Sequence, residues 1–139
     1  MLSSPNASSD KLRDIKLCTY IDINSKTAKE FGIKYGDLVK VSNPFGQYII
    51  GIVRVKEGIM PGTIGIEHGL GRLAEGADTI YINNKKLPAM PLRQTGVNIN
   101  MLGIQDPARP KGHVLTDFVT GATARNTIPV KIEKIRSLV

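Results

Sequence analysis

Alternating apolar and polar positions, broken at short intervals by glycine and proline, predict a chain of short strands. In "DLVKVS", residues 37–42, Val39 and Val41 share one face and Leu38 and Lys40 the other. "NPFG", residues 43–46, is a four-residue turn in which Pro44 presets φ and Gly46 closes the turn. "QYIIGIVRV", residues 47–55, is the returning strand of a hairpin. Upstream, "IKLCTYIDI", residues 15–23, alternates in part and is rich in β-branched side chains, so it also predicts a strand. Between these strands lies "NSKTAKEFG". Asn24 or Ser25 can cap a short helix there, with Ala28 and Phe31 on its inner face and Gly32 as a left-handed stop. Gly36 occupies the tight position of the next turn.

Downstream, Pro61-Gly62 precedes a strand in "TIGIEH", and "TIYIN" is a strand followed by a polar turn. "MPLRQTGVNINMLGIQDPARPKGH" has little periodicity and many turn formers. It predicts an ordered loop with one helical turn around Asn100, and long structured loops tend to carry function. "VLTDFVTGATARN" predicts a strand and a Gly-Ala loop, and "TIPVKIEKI" a closing strand with one charged face. The expectation is a mostly β domain of six to eight short strands with one or two short helices, a pattern that fits a small closed barrel better than a βαβ sheet. Residues 1–14, rich in Ser, Asn and Pro, are expected to be a disordered lead-in and residues 15–139 the folded domain.

Length changes this picture little: 139 residues suit one domain with one core. Charge changes it more. Nineteen Lys and Arg against twelve Asp and Glu leave a net charge of +7, which favours anionic partners or simply keeps the protein dispersed. No Trp is present and aromatics are 5%, so stacking platforms for single-stranded nucleic acid are poorly supplied. The lone Cys18 permits no intrachain disulfide and is expected to be a buried, inert thiol. No apolar stretch reaches the ~20 residues of a membrane span, and no signal core is visible.

The inventory for catalysis is thin. His68, His113 and Cys18 are scattered without metal-ligand spacing, and no nucleophile elbow, Walker or Rossmann glycine motif occurs. The chain is therefore not expected to run a reaction alone. The inventory for binding is richer. "HGLGR" sets His68, Gly69, Gly71 and Arg72 directly after a strand. Bare glycine backbone lets a ligand approach, its N–H groups suit anionic oxygens, and Arg72 can grip a phosphate bidentately. Equally, the stretch reads as a glycine-rich turn whose His and Arg face water. "GVNINMLGIQDP" offers Asn98, Asn100, Gln105 and Asp106, whose amides and carboxylate can read the edge of a heterocycle such as guanine or can cap turns. "TGATAR" adds Arg125 near another strand end.

The order of these segments carries a resemblance. "IDINSKTAKEFGIKYGDLVKVSNPFGQ", then "VKEGIMPGTIGIEHGLGR", "VNINMLGIQDP" and "TIPVKIEKI" resemble, over residues ~20–135, the C-terminal molybdopterin-dinucleotide-binding domain of the dimethyl sulfoxide reductase superfamily of molybdenum and tungsten oxidoreductases. Ser25 stands where that family commonly has Pro, and Gly103 where Thr is usual. The resemblance implies a double-psi β-barrel and a bis-(molybdopterin guanine dinucleotide) cofactor carrying Mo or W. It assigns cofactor binding to His68, Gly69, Gly71, Arg72, Asn98, Asn100 and Asp106, and leaves the metal's protein ligand to another domain. The "HGLGR", "VNIN" and "TGATAR" set is most similar to the tetrathionate and thiosulfate reductase branch, whose members reduce sulfur and related oxyanions. Catalytic chains of that family are several times longer, so the chain is expected to be a fragment of a larger catalytic subunit, the alternative being a small stand-alone subunit. Its partners would be the other domains of the catalytic subunit, with a possible further one in an iron–sulfur electron-transfer subunit. The competing expectation is a basic β-barrel that binds nucleic acid or a partner protein and has no redox role.

Overall fold

A computed structural model describes residues 18–71, 79–87, 95–106, 108–109, 115–117, 119–122 and 128–137. The expected lead-in over residues 1–14, together with Arg72, His113 and Arg125, lies outside the described residues.

The molecule is mostly β. Its strands are β1 (Ile21–Ile23), β2 (Leu38–Ser42), β3 (Tyr48–Val55), β4 (Ile64–Ile66), β5 (Ile80–Ile82), β6 (Lys85–Leu87) and β7 (Lys131–Arg136). The α-helix α1 (Ser25–Glu30) follows β1, and a 3-10 helix spans Ile99–Leu102. Five strands form one sheet in the order β4-β1-β3-β2-β7, and β5 and β6 form a separate hairpin. β3 is the hinge of this arrangement. Its first five residues pair antiparallel with β2, and its last three pair parallel with β1, Ile21 opposite Val53 and Ile23 opposite Val55. β4 and β7 add antiparallel strands at the two edges.

The hairpin of β2 and β3 forms where the alternation predicts it. Val39 and Val41 turn inward with Ile49 and Val53, and they join Ile21 and Ile23 in the core. Each such side chain contributes about 1.5–3 kcal/mol by leaving water. The reversal depends on Asn43 as much as on Pro44 and Gly46. The buried Asn43 side chain accepts from the Phe45 and Gln47 N–H groups, both at 3.0 Å, and donates to the Gln47 side-chain oxygen at 2.8 Å.

Asn24 is the cap of α1, its side chain accepting the Lys26 N–H at 2.9 Å, and Gly32 ends the element at φ +64°. The inner face holds Thr27 and Ala28. Phe31 is exposed, contrary to the expectation for it: it is the C-cap, where the backbone leaves helical geometry and turns the ring off the buried stripe. Three other expectations are revised. β1 is only three residues long, and residues 18–20 before it are in no regular element. "TIYIN" continues into a two-residue turn, Asn83 and Asn84 both at positive φ, and a return strand β6 where the pattern predicts only polar turn. In place of a strand in the "VLTDFVTG" stretch, the described residues show one bridge at Thr116 and a tight turn, in which Asp117 accepts the N–H groups of Val119 and Thr120. Cys18 is half-buried, not buried, and hydrogen-bonds Tyr20, which pushes the phenol above its usual range.

Two buried carboxylates tie the sheet together. Asp22 sits opposite Arg54 in the parallel register and accepts both Nε (2.7 Å) and Nη2 (2.9 Å), with Lys56 Nζ at 3.1 Å. Burial pushes the Asp22 carboxyl up, but the hydrogen bonds from Arg54 and Lys56 outweigh it and hold the group below its ordinary value. At the other edge, Asp37 accepts Lys134 Nζ (2.6 Å), the Ser137 hydroxyl (2.6 Å) and the Lys34 N–H (2.8 Å), clamping β7 to the turn before β2. The Lys134, Ser137 and Lys34 bonds, in that order, lower its pKa to about 2.

Candidate functional site

The loop that follows β4 and the loop that contains the 3-10 helix are closed against each other. In the first, Gly69 (φ +108°) and Gly71 (φ +70°) flank Leu70. The two left-handed positions bend the chain so that Leu70 is buried while His68 stays exposed. Gly71 then donates its N–H to the Thr95 carbonyl at 2.9 Å. A Cβ on Gly71 would lie 2.6 Å from the Asn98 nitrogen and 2.7 Å from the Val97 carbonyl carbon. The sequence suggests that these glycines bare their backbone to a ligand. At Gly71 the space is taken by the protein's own backbone, and the glycine is what lets two loops touch.

The second loop is anchored from several sides. Val97 and Leu102 are buried in the core, and the Val97 N–H donates to the Thr19 hydroxyl at 2.7 Å. Gly51 of β3 leaves room for the Val97 side chain, which a Cβ there would meet at 2.6 Å. Gly96 (φ +97°) lies so close to Thr19 and Leu70 that a Cβ would meet Thr19 Oγ1 at 2.8 Å and Leu70 Cβ at 3.0 Å. Asn98 caps the 3-10 helix: its side-chain oxygen accepts the Asn100 N–H at 3.1 Å, which leaves its NH2 as a donor. Asn100 is exposed. At the helix end, Asn43 Nδ2 lies 3.5 Å and 3.4 Å from the carbonyls of Leu102 and Gly103, linking this loop to the β2–β3 turn.

The structure thus joins the His68–Gly71 and Asn98–Asn100 segments in one loop cluster. It does not tie Asp106 into that cluster by any contact among the described residues. The Asp106 carboxylate accepts the Ala108 N–H at 2.9 Å and pairs with Arg109 Nε at 3.2 Å, the turn-capping use that its residue type equally allows. Arg72 lies outside the described residues. Among the described residues no group of three or more His, Cys, Asp and Glu is placed to hold a metal ion, and no helix is long and apolar enough to cross a membrane.

Of three further residues that shape the candidate site, two carry little signal in the sequence. Thr19 and Asn43 look like an ordinary strand residue and the start of a turn. Gly51 is the one glycine within the β3 run, and a glycine inside a strand signals close approach by another segment.

The described residues are mostly β, with two glycine-bearing loops closed against each other, one carrying an imidazole and the other side-chain amides. The comparisons place the chain further. A family model described as "Molydopterin dinucleotide binding domain" matches residues 3–114. The chain belongs to that family, the one its segment order resembles. It is 34% identical over 134 residues to a tetrathionate reductase subunit of Salmonella typhimurium, covering 96% of this chain and 13% of that protein. The molybdopterin-containing subunit of arsenate respiratory reductase from Chrysiogenes arsenatis is 33% identical, over 87% of this chain and 13% of the relative. A selenate reductase subunit of Mesobacillus selenatarsenatis is 29% identical, over 84% and 12%. The chain therefore spans about one-eighth of these relatives' length. Among solved structures, acetylene hydratase from Pelobacter acetylenicus aligns at 26% identity and a TM-score of 0.41, over 47% of this chain and 9% of that one.

Proposed function

We propose that this chain is the cofactor-holding part of a molybdenum or tungsten oxidoreductase, gripping a bis-(molybdopterin guanine dinucleotide) through the two closed loops. The observation that carries the reading is the contact of Gly71 with Val97 and Asn98, which gathers His68, Gly69, Asn98 and Asn100 into one cluster. The donor set suits the group. The Asn98 NH2, the Asn100 amide and the His68 imidazole can hydrogen-bond a pterin or a guanine edge, and the +7 balance suits a ligand with several phosphate charges. Arg72 would pair with phosphate, and Gly71 would serve by holding the loops together. Asp106 would act through its turn with Arg109. The cofactor supplies the redox chemistry when bound, while these residues bind it, orient it and balance its charge.

The fold in this reading is a double-psi β-barrel, supported by family membership and by the parallel β1–β3 pair embedded among antiparallel strands. The parent enzyme reduces a sulfur, selenium or arsenic oxyanion, as the names of the three relatives indicate for them. The partners are then an iron–sulfur electron-transfer subunit and the other domains of the catalytic polypeptide.

The test is titration of the full chain with guanosine diphosphate, followed by amide chemical shifts. Saturable shifts at Gly69, Asn98 and Asn100 are expected. Absence of saturation, with binding to oligonucleotides that weakens steeply with salt, would refute the reading in favour of a nucleic-acid-binding barrel.

A further inference from the structure

We infer that Thr19 is the positioning residue of this site: its hydroxyl sets where the Val97–Asn100 loop stands without touching the ligand itself. The inference rests on the reading of that loop as ligand-binding. Thr19 is buried, two residues before β1, and accepts the Val97 N–H at 2.7 Å across 78 residues of chain. Two glycines from other parts of the chain, Gly51 and Gly71, close on this short segment, and a third, Gly96, lies within it. Gly51 is below the Val97 side chain, Gly96 is against Thr19, and Gly71 is against Asn98. Each has less than 3.0 Å to spare for a Cβ. With contacts this close on several sides, the loop has little freedom to slide, and the hydroxyl of Thr19 selects the height at which it stops. Asn98 is the next residue, and its side chain caps the turn that presents Asn100. A displacement at Val97 is therefore passed to both amides.

A built-in comparison separates positioning from mere stability. Thr27 makes the same kind of bond elsewhere: it is buried and accepts the Gly62 N–H at 2.8 Å, at a different loop from the 95–98 segment. Thr19→Val, Thr19→Ser and Thr27→Val are titrated as full chains with guanosine diphosphate, and amide exchange is measured in each without nucleotide. Without this bond the loop must be ordered at the expense of binding, so Thr19→Val should weaken nucleotide binding by about 10-fold, and Thr19→Ser should restore it to within about 2-fold. Thr27→Val should bind as the parent chain does. Exchange at Val97, and at Gly71 whose N–H bonds the Thr95 carbonyl of the same loop, should quicken in Thr19→Val alone.

Equal weakening by Thr27→Val, or parent-like binding by Thr19→Val, overturns the inference. If the parent chain does not bind the nucleotide, the ligand reading fails by itself. The positioning role is then judged on exchange alone: selective loss of protection at Val97 and Gly71 in Thr19→Val, restored by Ser, upholds it, and unchanged protection overturns it.

Discussion

Substituting Gly71 by alanine tests whether the two loops are held together by direct backbone contact. Two costs arise. An L residue at φ +70° is strained by about 1–2 kcal/mol. The new Cβ would also lie 2.6 Å from the Asn98 nitrogen and 2.7 Å from the Val97 carbonyl carbon, both backbone atoms that cannot swing aside. Relieving that overlap parts the loops and strains the Gly71 N–H to Thr95 bond, now 2.9 Å. Overpacking costs about 1–3 kcal/mol and the hydrogen bond about 0.5–1.5 kcal/mol, so with the strain the total is about 2.5–6.5 kcal/mol. Gly46→Ala is the reference: φ is +83°, no atom lies within 4 Å of its Cβ, and only the strain of about 1–2 kcal/mol remains. Urea unfolding of the full chain, followed by circular dichroism, compares the two. With a slope of ~1–3 kcal/mol per molar, Gly71→Ala should have its midpoint lower than Gly46→Ala by on the order of 1 M. Coincident midpoints would show that the loops do not touch at Gly71, and the site as described would not exist.

Other outcomes follow from particular contacts. Asp37 has its folded pKa lowered from 3.8 to about 2, so its stabilising effect is complete above pH ~4 and is lost as pH falls through about 2. Urea midpoints of the parent chain should therefore drop more over that window than those of Asp37→Asn, and parallel curves would refute the clamp. Arg54→Leu leaves the buried Asp22 with Lys56 alone and should cost about 2–3 kcal/mol in urea unfolding, less than a fully buried pair because the guanidinium is 25% exposed. Phe31→Ala should change stability by less than about 0.5 kcal/mol, because the ring is 55% exposed, and a larger loss would restore it to the inner face of α1. Asn100→Ala and Arg72→Ala in the parent enzyme should each lower retained molybdenum without unfolding the domain, and unchanged metal content in both would count against their assignment.

What can be read from the chain is set by contacts between near neighbours. The β2–β3 hairpin, the Asn24 cap and the stops at Gly32, Gly36 and Gly46 each have a cause within ten residues, and each stands where the pattern puts it. The helical turn at Asn100 is legible for the same reason, since Asn98 caps it locally. Pairings over long separations leave no such trace. Thr19 with Val97, Asp22 with Arg54 and Asp37 with Lys134 depend on which strands become neighbours, and period-two alternation carries no information on that. Phe31 is no core residue because the helical period stops one position before it. At the site, residue type picks out His68, Asn98 and Asn100. What closes their two loops is a backbone contact, visible beforehand only as glycines whose purpose is ambiguous.

The edge position of β7 bears on how the chain comes to be made. Along the growing polypeptide β2 finds β3 at once, but its opposite border has no strand to receive it until residues 131–136 have emerged. Asp37, poised at that border, waits equally for Lys134 and Ser137. Synthesis halted before these residues would leave an open β border next to an uncompensated carboxylate, the kind of exposed rim that invites pairing with other chains. Residues 131–137 thus move the border of the sheet from β2 out to β7 and neutralise Asp37, and both changes wait for the last strand to be made.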